Sequence, residues 1–291
     1  VEAVEDPTSQ ITLQDARGLK PGAQIDELFM VDVTPHNFGR IAAQTAKQVI
    51  LQRIREAERD QLYDDFSGRE GEIVNGTVQS VTPQAVTIGL GRTEATLPRS
   101  QQVPGERYHA HDKVRAYVLE VKRSSRGPQI IVSRSHRNML RRMLELEVPE
   151  IAENIIEIKA VAREPGERAK VAVESTSSRI DPVGATVGYR GKRIQSIVKE
   201  LNNENIDVIN FTNNPTLFIQ RALSPAKISS ITIDNENMRA EVYMKPDQVS
   251  LAIGKGGYNI KLAGKLTGYD IDVYREDIDT EDVDLQEFAD E

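Results

Sequence analysis

Cysteine and tryptophan are absent from this 291-residue chain, and aromatic residues make up only 5% of it. Without cysteine there is no disulfide and no thiolate-held metal, which fits a reducing, cytoplasmic setting. No uncharged apolar run approaches the ~20 residues needed to cross a bilayer, so no membrane partner is expected. The start, Val1-Glu2-Ala3-Val4-Glu5-Asp6, lacks both an initiator Met and a basic-then-apolar leader, and reads as a truncated beginning. Catalytic groups are also sparse. The four histidines, His36, His109, His111 and His136, are scattered, and acidic residues cluster only near the end. No Ser–His–Asp or paired-carboxylate constellation can be assembled, so no catalytic residue, no cofactor and no metal site is expected.

What is present is an uneven charge distribution. The net charge of −8 argues at first against a nucleic-acid partner. Residues 1–70, however, carry a net of −5, and residues 270–291 hold 11 acids and a single Arg. The 28 basic and 21 acidic residues between them leave 71–269 at +7. Local charge, not the chain total, sets the potential that a phosphate backbone meets.

The chain also changes character along its length. Ile11-Thr12-Leu13 and Glu27 to Val33 look like short strands around a Lys20-Pro21-Gly22 turn. Thr34-Pro35 marks a helix start, and Ile41, Ala42, Thr45, Ala46, Val49, Ile50 and Ile54 recur at helical spacing towards Phe66. Beyond Leu51 that helix becomes mostly charged, as a solvated helix would. Five short β-rich runs then occupy 72–132, namely 72–78, 85–90, 94–97, 114–121 and 129–132, which suits a small closed barrel of the OB type.

From His136 an internal repeat organises the rest. Asp181-Pro182-Val183 through Gly188-Tyr189-Arg190-Gly191 recurs 66 residues later as Asp247-Gln248-Val249 through Gly254-Lys255-Gly256-Gly257. Ile194 matches Ile260, and Ile206-Asp207-Val208 matches Ile271-Asp272-Val273. Each copy reads helix, strand, strand, helix, Gly-x-x-Gly, helix, strand. Only Thr212 to Asn214 separate the copies, so the joint should hold them in one orientation.

Gly-x-x-Gly between two helices is the loop of the KH fold, which clamps about four nucleotides of single-stranded RNA. Its glycines let the backbone turn sharply and approach a phosphate, and the second opens a helix whose free N–H groups favour an anion. Cations surround both loops: Arg190, Lys192 and Arg193 at the first, Lys255 and Lys261 at the second. Tyr189 and Tyr258 could each stack on a base. One such tetrapeptide means little, since helix C-caps also use glycine; two in matched contexts mean more. The second loop lacks the spacing and the Lys-Ser/Thr ending of a P-loop, and it follows a helix, unlike a dinucleotide fingerprint. In the barrel, Tyr108 and Tyr117 are the only aromatics, so cations there, Lys113, Arg115, Lys122 and Arg123, are the better candidates for RNA contact.

At this point the chain resembles the bacterial transcription elongation and termination factors of the NusA family. Phe38 to Ile50 looks like the end of their N-terminal domain, and Val148-Pro149-Glu150-Ile151 with Arg179-Ile180-Asp181-Pro182-Val183-Gly184 like their first KH domain. The resemblance implies a multidomain α+β chain with a β-barrel. Its parts are a partial polymerase-binding α/β domain and linker helix (1–68), an OB-fold barrel (71–135), KH domains of the bacterial type (136–211 and 215–275) and an acidic tail (276–291). It further implies binding to single-stranded nascent RNA, to RNA polymerase through the N-terminal domain and to other elongation and antitermination factors, with effects on pausing, termination and antitermination. A start inside the N-terminal domain puts polymerase contact by this chain in question. Two other functions share these modules: an RNA-binding adapter in ribosome or messenger metabolism, and a fragment of an RNA-processing enzyme such as a phosphorolytic exoribonuclease. The tail could be a solubilising end, or could fold back on the basic KH surface and compete with RNA.

Overall fold

The computed structural model describes Val4, residues 9–28, Met30 and residues 38–276. The chain divides into two compact units, residues 1–57 and 58–291.

In the first unit, α1 (Leu13–Leu19) begins where a strand was expected. The Thr12 hydroxyl accepts the Asp15 N–H at 3.2 Å, and Asp15 adds a carboxylate to the first turn. That cap converts an apolar run too short to specify a strand into a helix start. Glu27, Leu28 and Met30 lie outside any strand, and the rest of the second expected strand falls outside the described residues, as does the Thr34-Pro35 helix start. Helix α2 (Phe38–Ser67) has 30 residues. Residues 39–55, including Ile41, Val49, Ile50 and Ile54, stand exposed.

The second unit opens with the last turns of α2, which place Phe66 in the core of a five-stranded barrel. Its strands are β1 (Ile73–Val81), β2 (Ala85–Gly89), β3 (Glu94–Pro98), β4 (Lys113–Ser124) and β5 (Gly127–Ser133), closed in the order β1-β2-β3-β5-β4. Alternation fills the interior: Val86 and Ile88 point inward from β2, Ala95 and Leu97 from β3. Closure removes the free edges that a five-stranded sheet would otherwise expose.

The first KH domain follows as α3 (Arg137–Glu147), α4 (Pro149–Ala152), β6 (Ile156–Glu164), β7 (Arg168–Ser175), α5 (Pro182–Val187), α6 (Lys192–Glu200) and β8 (Asn205–Asn210). The second is α7 (Pro215–Ala222), β9 (Ser230–Asp234), β10 (Arg239–Met244), α8 (Pro246–Ile253), α9 (Tyr258–Thr267) and β11 (Asp270–Arg275). Each sheet has three strands, with its last strand parallel to the middle one. Short polar caps begin the helices: Asp181 accepts from the Val183 N–H and Asn214 from the Leu217 N–H, each followed by a proline at the first helical position.

The middle strand of the first KH sheet is buried on both faces. Ala169, Val171 and Val173 point into that domain's own core with Leu140, Leu144 and Ile197. Ala172 points the other way, joining Ala162 and Ile209 in a cluster with Leu262, Ala263 and Leu266 of α9. Helix α9 therefore packs on the outer face of the first sheet, and that face joins the apolar core of the second KH domain. Lys170, fully buried beside them, donates to Asp207 at 2.8 Å. Burial lowers its pKa, against the attraction of Asp207.

Candidate nucleic-acid interface

The two Gly-x-x-Gly loops adopt one backbone. Gly188 has φ 78° and ψ 171°, and Gly254 has φ 72° and ψ 173°. Gly191 and Gly257 are left-handed at φ 73° and 72°. A Cβ on Gly188 would lie 2.7 Å from Arg193 Cγ, and one on Gly254 would lie 2.7 Å from Asn259 Cβ, so both positions need glycine for space as well as for φ. The third loop position is left-handed too, filled by Arg190 (φ 51°) in the first copy and Gly256 (φ 63°) in the second. Strain at a non-glycine residue there is of the order of 1 kcal/mol.

Each loop leads into a helix whose N-cap is a glycine without a capping side chain. The Lys192 and Tyr258 N–H groups, first in α6 and α9, already donate to the Tyr189 and Lys255 carbonyls, and the positive end of each helix dipole still favours an anion at the loop. Arg190, Lys192 and Lys255 are exposed, and among the described residues no carboxylate pairs with them. Tyr189 is 76% exposed with the Arg190 guanidinium 5.3 Å from its ring centroid. Together these groups form a cationic, aromatic-edged cradle for a phosphate and an adjoining base.

Two expected RNA contacts are engaged elsewhere. Arg193 donates to Glu150 at 2.9 Å and to the Ala185 carbonyl at 2.6 Å. Its counterpart 66 residues on, Asn259, is buried and donates to the carbonyls of Leu251, Ala252 and Leu223. Both side chains reach back to the helix before the loop and tie its two sides together. Lys261 pairs with Glu164 of the first KH domain at 2.9 Å, and Lys265 with the same carboxylate at 3.4 Å. Tyr258 is half-buried against the core of the second KH domain, with the Lys261 ammonium 6.0 Å from its ring centroid.

On the barrel, Lys113 and Arg115 project outward from β4. They line a groove shared with Asn75, Thr77 and Glu200. Glu200 ends α6, so the barrel cations lie at one end of the helix whose other end carries the first loop, roughly 13 Å away. Lys122 and Arg123 are already partnered: Lys122 with Glu120, Arg123 with Asp60 and Asp64 and stacked 4.4 Å over Tyr63.

Sequence reasoning missed the residues that join barrel to KH domain. Arg134, with 6% of its side chain exposed, donates twice to Glu106, to the Arg115 carbonyl and to the Glu200 carbonyl at the end of α6. Arg163 forms a buried pair with Glu204 at 2.7 Å and also holds the carbonyls of Arg134 and His136. Lys199 and Arg107 line a second groove, which shares Lys113 and Glu200 with the first. Nothing local marks these arginines as different from surface ones; only their carboxylate partners, 28 to 66 residues distant, reveal the role.

Comparison with known proteins follows the same division. Residues 1–60 match the NusA N-terminal domain, 68–133 the S1 RNA binding domain, 134–211 the NusA-like first KH domain and 215–281 the NusA-like second KH domain. A transcription termination/antitermination protein NusA from Halalkalibacterium halodurans is 45% identical over 95% of this chain and 72% of its own length. The Bacillus subtilis protein of that name is 44% identical over 95% of this chain and 74% of its own, and the Thermus thermophilus one 44% over 100% and 76%.

Proposed function

The chain belongs to the NusA family, and from that premise we propose that it is a non-catalytic, RNA-binding transcription factor. It grips single-stranded nascent RNA through Gly188, Tyr189, Arg190, Gly191 and Lys192, then Gly254, Lys255, Gly256, Gly257 and Tyr258, with Lys113 and Arg115 extending the track onto the barrel. Arg193 and Lys261 shape that track from beneath. The protein acts in the cytoplasm, together with RNA polymerase and other elongation factors, on pausing, termination and antitermination.

The observation that supports this reading is the pair of Gly-x-x-Gly loops with matching backbone angles, each leading into a helix N-terminus and carrying exposed cations that no carboxylate pairs with among the described residues. A phosphodiester meets those cations and the positive helix end, and bases supply faces for the tyrosine. The test is a fluorescence-anisotropy titration of a short single-stranded RNA at two salt concentrations. The comparison variant combines Tyr189→Asp, Arg190→Asp, Lys255→Asp and Gly256→Asp. The native chain should bind, losing about 0.7 log units of affinity per tenfold salt for each phosphate neutralised, and the variant should lose most of that affinity. Equal binding by both would move the RNA site to the barrel. Retention of core RNA polymerase by the native chain tests the polymerase role separately.

A further inference from the structure

The two KH sheets use equivalent positions for different ends. On the outer face of the first sheet, Arg168 sits beside Glu164, Lys170 beside Ala162 and Asp207, and Ala172 beside Ala160 and Ile209. On the second, the same register reads Arg239 beside Asp234 and Asp270, Glu241 beside Asp272, and Tyr243 beside Tyr274. A cross-strand Arg–Asp pair is kept in both, Arg168 with Asp207 at 2.8 Å and Arg239 with Asp272 at 2.7 Å. The first face is charge-balanced and ends in small apolar residues, and it is covered by a helix. The second carries four acids against one Arg, ends in two stacked tyrosines 5.3 Å apart, and has Tyr274 at 42% exposure.

How the first face is covered says what fits the second. Helix α9 lays Leu262, Ala263 and Leu266 on Ala162 and Ala172, and brings Lys261 and Lys265, one turn apart, to Glu164. Asp234 occupies the position of Glu164 in the second sheet, and Glu241 stands where the first has Lys170. We propose that the outer face of β9–β11 is a docking surface for a basic amphipathic helix of a partner protein. Its lysines or arginines, spaced four apart, meet Asp234 and Glu241, and its alkyl stems and apolar side chains lie on Tyr243 and Tyr274. Tyrosine faces suit such a helix, since they accept both aliphatic contact and a cation over the ring. The chain's own following residues are the wrong occupant: 277–291 hold eight acids and no Lys or Arg. RNA is excluded by the same sign of charge.

The test uses the full chain, isotope-labelled for amide NMR, and a lactam-stapled peptide of about fourteen residues, stapled because helices that short are marginal alone. The peptide carries lysines at i and i+4 beside an alanine and leucine stripe; a control carries glutamates there. Shifts should concentrate on Thr232, Glu241, Asp272 and Tyr274 with the lysine peptide only. Glu241→Lys should weaken binding about tenfold or more, since a rim of like charge now opposes the lysines, and should leave single-stranded RNA affinity unchanged. Because RNA affinity is read in parallel, failure of this proposal and failure of the RNA reading are separable. No shift at these residues, equal binding by the control peptide or by Glu241→Lys, shifts there on adding RNA, or concentration-dependent shifts without peptide that mark a second copy, would each overturn it.

Discussion

The two KH domains share a backbone and differ in what stabilises it. At the position where the first buries Arg163 against Glu204, the second has Ile233, and Tyr269 stands where the first has Glu204. Beneath the loop, the first uses an ionic tie, Arg193 to Glu150, and the second a buried amide, Asn259. The first copy lies between two neighbours, the barrel and the second KH domain, and its arginines serve those contacts. Among the described residues the second packs on one, the first KH domain, and its interior is simpler. Identical loop geometry therefore does not require identical support, and the pattern of support reports which neighbours a domain must hold.

The largest effect should come from breaking the buried pair that has no counterpart in the second copy. Glu204→Ala leaves the Arg163 guanidinium buried without its carboxylate, and should destabilise by about 3–5 kcal/mol. Chemical denaturation of the second unit reads this directly, and a change below about 1 kcal/mol would mean that water reaches Arg163. Replacing Glu204 and Arg163 together by apolar residues should recover much of the loss, as the second copy's Ile233 suggests.

The loop ties should differ next. Asn259→Ala removes a buried donor serving three backbone carbonyls and is expected to cost about 1–3 kcal/mol. Arg193→Ala removes a half-exposed tie, and should cost less than about 1 kcal/mol and lose its effect in high salt. Equal costs at equal salt would show that the two ties are equivalent after all.

The third loop position sharpens the comparison further. Arg190→Gly should relieve roughly 1 kcal/mol of left-handed strain while weakening RNA binding, and Gly256→Arg should do the reverse in both respects. If RNA affinity does not follow the cation, the phosphate is held by other groups of the loop and not by the side chain at this position.

The smallest effect concerns pH. The His136 Nδ1 accepts the Asn138 N–H at the start of α3, and its ring stacks on Tyr117 with centroids 5.0 Å apart. Burial first, then Arg137 and Arg163, hold its pKa below the ordinary 6.5. The unfolded chain then binds the extra proton more readily. Stability from this group is full above about pH 6.5 and is lost as pH falls below it. His136→Asn keeps an acceptor cap and should flatten the melting temperature between pH 7.5 and 5 relative to the native chain.

Much of this architecture was legible in residue order. Five β-rich runs with Gly and Pro punctuation gave the barrel strands within a few residues, because alternation and turn chemistry are local properties. The repeat at 66 residues placed both loops, because Gly-x-x-Gly is required by backbone conformation at those very positions. The strand expected at Ile11 was wrong for the same local reason: a Thr-x-x-Asp cap outweighs three residues of apolar and β-branched character.

What tertiary structure alone decided is which cations remain available. Arg190 and Arg193 look alike in the sequence, yet one is exposed beside Tyr189 and the other is turned under the loop towards Glu150. Lys261 and Lys255 differ likewise, through a glutamate almost a hundred residues earlier. A charge is free or committed according to what the fold brings within about 4 Å of it, and at that range the strength of the interaction depends on burial that no local pattern encodes. Residue order determined the elements, the repeat and the loops; packing decided the partners.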